Sequence, residues 1–139
     1  MANINEAFRV VCDFFNITEL NFDQKVAITK FVVDKKDVFV NLPTGFGKSL
    51  IFQSLPIVLD ALTNKPGHIV LVLSPLLTLI DDQIQNSRAL GLSCVSLSHV
   101  QTEDEYKEVE RGAFQVVYGT PEAVLTNKRW REMPLNIQC

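Results

Sequence analysis

Apolar positions recur at helical spacing in some stretches of this chain and form short unbroken blocks in others. Ile4, Phe8, Val11 and Phe15 lie three or four residues apart. Asn3 and Glu6 stand ahead of them at capping-box spacing, so the pattern predicts an opening helix. A second helix is predicted from Asn21 or Phe22 to about Val33, with Ala27, Ile28 and Phe31 on its buried side. A charged turn, Asp34-Lys35-Lys36-Asp37, then leads into Val38-Phe39-Val40, an apolar block of the kind found in strands covered on both faces.

The alternation then repeats. A helix predicted from about Lys48 carries Leu50, Ile51, Leu55, Val58, Leu59 and Leu62, and Pro56 is expected to bend it. Asn64-Lys65-Pro66-Gly67 is a turn ahead of the strand Ile69–Leu73. The next helix runs from about Leu77 to a stop at Gly91, and a weaker strand, Cys94 to Leu97, follows. Thr102 and Glu105 cap a polar helix that ends near Gly112. Gln115 to Tyr118 is the fourth strand, and Pro121 suits the first turn of a last helix. Strands alternating with helices predict an α/β fold, a parallel sheet with right-handed crossovers and helices on both faces. Ligands of such sheets bind at the carboxyl ends of the strands.

Composition narrows the class. The chain has 139 residues, 47% apolar and 21% charged, enough for one packed domain and too apolar for a disordered one. Its net charge of -3 excludes a globally basic nucleic-acid binder and leaves room for a local patch. The longest apolar run, Ile69–Leu73, is far short of the roughly 18 residues that cross a bilayer. No basic start followed by an apolar block opens the chain, and the odd, widely spaced Cys12, Cys94 and Cys139 suit neither a disulfide framework nor a zinc knuckle. An intracellular, reduced protein with no membrane partner is the expectation. His68 and His99 have no second ligand at metal spacing, and the acidic run from Glu103 to Glu110 reads as a solvated helix face.

The strongest chemical signal is Leu42-Pro43-Thr44-Gly45-Phe46-Gly47-Lys48-Ser49, which leaves a strand and opens a helix. Gly45 and Gly47 allow a tight turn with several N–H groups aimed inward, and a helix start adds partial positive charge. Lys48 then supplies a point charge for outer phosphates, and the Ser49 hydroxyl is placed to hold Mg²⁺. Leu42 occupies the position where the strict phosphate-loop pattern has its first glycine.

Together with Gln24, the run Ser74-Pro75-Leu76-Leu77-Thr78-Leu79-Ile80-Asp81-Asp82-Gln83 and Thr120-Pro121-Glu122, this loop resembles those of RecQ-type DNA helicases. The resemblance spans about Leu20 to Glu122 and rests most on the run after the second strand. It implies the first part of a RecA-like motor domain, incomplete in itself, that uses ATP and Mg²⁺ and tracks along DNA from 3′ to 5′. On this view residues 1–19 are an N-terminal helical segment, 20–126 the motif-bearing region and 127–139 a tail. In a eukaryote such a protein would be nuclear.

By the same resemblance residues 43–49 cradle ATP, Lys48 acts in catalysis and Gln24 reads the adenine edge. A carboxamide offers adenine both a donor and an acceptor. The residues alone support equally a capping partnership between Gln24 and Asn21, and Asn21 stands where the family usually has a basic residue. Ser74 and Thr120 become candidate contacts to a single-stranded or unwinding DNA backbone, although each is also a natural helix cap beside a proline. Asp82 and Gln83 have no assigned chemistry beyond covering a helix face.

Hydrolysis requires an acidic strand end for the metal and a group to orient water. The family carries these as Asp-Glu-Ala-His, whereas the Asp-Glu pair of this sequence, Asp104-Glu105, opens a polar helix. A second motor domain with its arginine finger is likewise not found within these residues. The expectation is an ATP-binding portion with little or no turnover of its own. The alternative is a non-catalytic, helicase-like regulatory module that self-associates or docks through an exposed sheet edge. A small kinase is the weakest reading, because no Arg- or Asp-rich acceptor segment is apparent.

Overall fold

The computed structural model describes residues 3–34 and 48–131, and for Lys48 and Arg131 the backbone alone. The predicted strand at 38–40 and phosphate-loop residues 43–47 lie outside the described residues, as does the tail beyond Arg131. The chain divides into two compact units, Met1–His68 and Ile69–Cys139.

The described part of the first unit is helical. Helix α1, Ile4–Phe15, begins where the Asn3 side chain accepts the Glu6 N–H, and it ends at Asn16 in the left-handed region. Its apolar stripe, Ala7, Phe8, Val11 and Phe15, is buried, as the 3.6-residue period requires. Helix α2, Phe22–Val32, starts in a full capping box between Asn21 and Gln24. It buries Gln24, Ala27 and Ile28, while Phe31 is only half-buried. Helix α3, Lys48–Thr63, packs against both α1 and α2 and runs unbroken across Pro56. The residues around that proline, Gln53 to Val58, are all buried, so packing offsets the hydrogen bond an imide nitrogen cannot make. Beyond α3, His68 folds back onto it. Its backbone N–H donates to Asp60 Oδ1 at 3.1 Å, and its ring Nδ1 lies 2.6 Å from the same oxygen.

The second unit is built on a parallel sheet of strands β1, Val70–Leu73, β2, Cys94–Ser96, and β3, Val116–Gly119, in the order β1-β3-β2. Strand β3, central among the described strands, is buried at all four positions, which explains its unbroken apolar sequence. Helix α4, Leu77–Ala89, packs on β2 and β3. Its buried Ser87 shares a 2.7 Å hydrogen bond with Tyr118 of β3. Helix α5, Glu103–Arg111, begins at the Thr102 cap and ends at Gly112, whose φ of 86° is the left-handed stop foreseen there. Helices α6, Pro121–Thr126, and α7, Lys128–Arg131, close the unit.

Four strand limits differ from the sequence pattern. Ile69 and Gln115 precede their strands, and Gly119 extends β3 by one residue. Leu97 leaves the sheet to begin a single 3-10 turn, Leu97–His99. The reason lies in Gly119: a Cβ there would meet Leu97 Cδ1 at 3.1 Å, so the leucine packs down over the glycine instead of continuing the pleat.

Candidate nucleotide and nucleic-acid site

The described residues assigned to nucleotide chemistry lie in the first unit. Helix α3 opens at Lys48 itself, and its first turn contains no acidic residue. A helix start free of carboxylates suits an anion, because the unpaired N–H groups and the macrodipole act in the same direction. Ser49 sits in that first turn, half-buried.

Gln24 is only 5% exposed. Its Oε1 accepts the Asn21 N–H at 2.9 Å, and its own N–H donates to Asn21 Oδ1 at 2.8 Å. The capping geometry is therefore formed.

The residues assigned to DNA lie in the second unit, and the sheet brings them together. Parallel pairing sets Leu73 opposite Gly119, so Ser74 and Thr120 leave neighbouring strands at the same level of the carboxyl edge. The Ser74 N–H donates to the Gly119 carbonyl at 3.0 Å and fastens the two strand ends together. Thr120 Oγ1 accepts the Ala123 N–H at 3.1 Å as the cap of α6. The N-cap of α4 is Leu76, which has no side-chain cap. Ser74 supplies only a long contact there, 3.4 Å from the Leu76 N–H to its Oγ.

The run after β1 is more exposed than an apolar sequence usually is. Leu73, Leu76, Leu77 and Leu79 are 46%, 59%, 52% and 44% exposed, whereas Ile80 and Ile84 are buried. Asp82 is exposed, and Gln83 is half-buried with its Oε1 shielded and unpartnered among the described residues.

His99 carries no functional signal in the sequence. It ends the 3-10 turn beyond β2, with Nε2 3.6 Å from Asp81 Oδ1 on α4. Nothing in the sequence signals this pair, because its members are brought together by packing of α4 on the sheet. Elsewhere in the unit, Arg129 forms hydrogen bonds to Glu103 at 2.7 and 3.0 Å and to Glu110 at 3.1 Å. Its guanidinium also covers the Tyr106 ring, which stacks on Trp130. These bonds hold both glutamates below the ordinary carboxylate range and push Arg129 further up. Burial raises the Tyr118 phenol, against a smaller opposing effect of the Ser87 bond.

The parallel three-stranded sheet with its flanking helices is that of a RecA-like helicase domain fragment, and comparison with known proteins agrees. The family model described as DEAD/DEAH box helicase matches residues 21–138, so the chain belongs to that family. Within it the resemblance to RecQ-type helicases holds over most of the chain. The chain is 34% identical over 131 residues to a Caenorhabditis elegans protein named "Putative ATP-dependent DNA helicase Q1", covering 90% of this chain and 20% of that protein. It is 39% identical over 105 residues to ATP-dependent DNA helicase Q5 of Rattus norvegicus, 71% of this chain and 10% of that one. It is 34% identical over 108 residues to ATP-dependent DNA helicase RecQ of Haemophilus influenzae, 75% of this chain and 16% of that one. The chain thus spans no more than about a fifth of the length of these relatives.

Proposed function

We propose that this chain is the N-terminal ATP-binding portion of a RecQ-like, 3′ to 5′ ATP-dependent DNA helicase. The observation that carries the reading is the start of α3 at Lys48, directly after the glycine-bearing loop and with no acid in its first turn. Lys48 would meet the outer phosphates, Ser49 would hold Mg²⁺, and residues 43–47 would wrap the phosphates with backbone N–H groups. Gln24 would present its carboxamide to adenine while keeping its cap on α2. Bound ATP·Mg²⁺ supplies the phosphoanhydride whose cleavage drives strand movement in such motors.

Ser74 and Thr120 would grip the backbone of single-stranded DNA without reading its sequence. Support comes from their pairing at one level of the carboxyl edge, fixed by the Ser74–Gly119 hydrogen bond. Titration calorimetry of the purified chain with ATP·Mg²⁺ tests the nucleotide half. Saturable binding that is lost in Lys48→Ala is expected, and a folded wild-type chain that takes up no ATP would overturn it.

A second reading, a partner-binding module, is favoured by the exposed leucines 73, 76, 77 and 79 beside strand β1, an edge of the described sheet. Concentration-dependent sedimentation would support it, and a monomer at all concentrations would count against self-association.

A further inference from the structure

Helix α4 has a flank on each side of its buried stripe, Ile80, Ile84 and Ser87. Leu77, Asp81 and Arg88 share one of them by helical spacing. That flank faces β2: Arg88 donates to the Cys94 carbonyl at 3.1 Å, and Asp81 lies 3.6 Å from His99, just beyond the strand. Leu76, Leu79, Gln83 and Asn86, spaced three, four and three residues apart, share the other. Because the strand order is β1-β3-β2, this second flank is turned away from β2, to the β1 side. It carries no charge, whereas Asp81, Asp82 and Arg88 are exposed elsewhere on the helix. Leu76, Leu79 and Asn86 are exposed on it. Gln83, in its middle, is half-buried, and its Oε1 has lost water without gaining a donor among the described residues.

We propose that this flank of α4 packs against the same flank of a second copy of the chain, about a two-fold axis. The inference rests on the partner-binding reading and names the partner. A two-fold contact sets a surface against itself, so it admits a neutral flank and rejects one with a net charge. The spacing of Leu76, Leu79, Gln83 and Asn86 is that of a coiled-coil seam, in which side chains of one helix enter the spaces between those of the other. A carboxamide holds donors and an acceptor together. Two Gln83 side chains, each turned about its last bond, therefore satisfy one another with reciprocal hydrogen bonds. The residue with the unmet oxygen brings the missing donor in its own copy.

The test is sedimentation equilibrium of the full 139-residue chain over a wide range of concentration, with the urea midpoint as a control for folding. Wild type is expected to dimerise reversibly and to form nothing larger, as a closed two-fold contact requires. Leu79→Lys is expected to weaken the dimer about tenfold or more. So is Gln83→Glu, which keeps the shape and sets two like charges across the axis. Leu77→Lys, at a comparably exposed leucine on the other flank, is expected to leave the dimer unchanged. Equal loss in Leu77→Lys, or open-ended oligomers, would overturn the seam in favour of general apolar adhesion. A dimer indifferent to Leu79→Lys or to Gln83→Glu would overturn it by placing the interface elsewhere. A wild-type monomer at every concentration would overturn the second copy as partner. The broader partner-binding reading then survives if that monomer takes up the apolar dye bis-ANS and Leu79→Lys abolishes the uptake, and falls with it if not.

Discussion

Tyr118 shows how one side chain ties sequence to sheet. It is fully buried in the central strand, and its hydroxyl meets Ser87 of α4 at 2.7 Å. The bond gives a buried hydroxyl a partner and helps fix how α4 lies on the strand. Tyr118→Phe is expected to lower stability by about 1–2 kcal/mol, measured as a shift of the urea midpoint at constant slope. An unchanged midpoint would show that the hydroxyl pair contributes nothing net. Gln24 and Gly119 make the same point differently. The carboxamide satisfies a helix start, and the missing Cβ lets Leu97 cover a strand end. Both residues were visible in the sequence, but only the Gln24 spacing announced a structural role.

Elements in this fold are held by a few polar clamps as much as by apolar stripes. Helix α7 has only four residues, too few to hold itself, and Arg129 fastens it to both ends of α5 through Glu103 and Glu110. Replacement of Arg129 by Ala should lower the thermal midpoint at neutral pH and quench the protection that stacking gives Trp130, observable in its fluorescence. The pH dependence follows from the lowered carboxylates. A group whose folded pKa is depressed contributes stability above its unfolded value, and loses it as pH falls through the folded value. The difference between wild type and variant should therefore be present at pH 7, begin to shrink as pH falls past the ordinary carboxylate value of about 4.3, and disappear only below the depressed folded values. A gap that persists at low pH would assign the effect to packing of the Arg129 stem instead. In the sequence the acidic run has the pattern of a solvated face. Its outward positions are indeed exposed, but two of its glutamates serve as anchors for a residue nineteen and twenty-six positions away.

Across the whole molecule, the described residues hold the candidate nucleotide contacts in one unit and the candidate DNA contacts in the other. The sequence carries the run Pro43 to Ser49, proposed above to bind ATP, but no Asp-Glu-Ala-His run, so nucleotide binding and turnover should separate. The purified chain is expected to release phosphate from ATP no faster than its Lys48→Ala variant, with or without single-stranded DNA. Phosphate release stimulated by DNA would refute this and locate catalytic acids elsewhere in the 139 residues.

Much of this protein is written in local order. The apolar periods set the helices, the Asn, Thr and Gly caps set their ends, and the alternation of elements set a parallel sheet, because each depends on neighbours within a turn or two. The phosphate-loop motif and the run from Ser74 to Gln83 likewise carried the family in their residue order. Tertiary structure decided what distance in sequence conceals. It determined that β3 lies between β1 and β2, that Ser74 and Thr120 share a level, and that Leu97 leaves the sheet over Gly119. It also determined that His99 faces Asp81 and that Arg129 bridges two glutamates. Strand order and side-chain pairing arise from packing between segments whose separation along the chain bears no fixed relation to their separation in space.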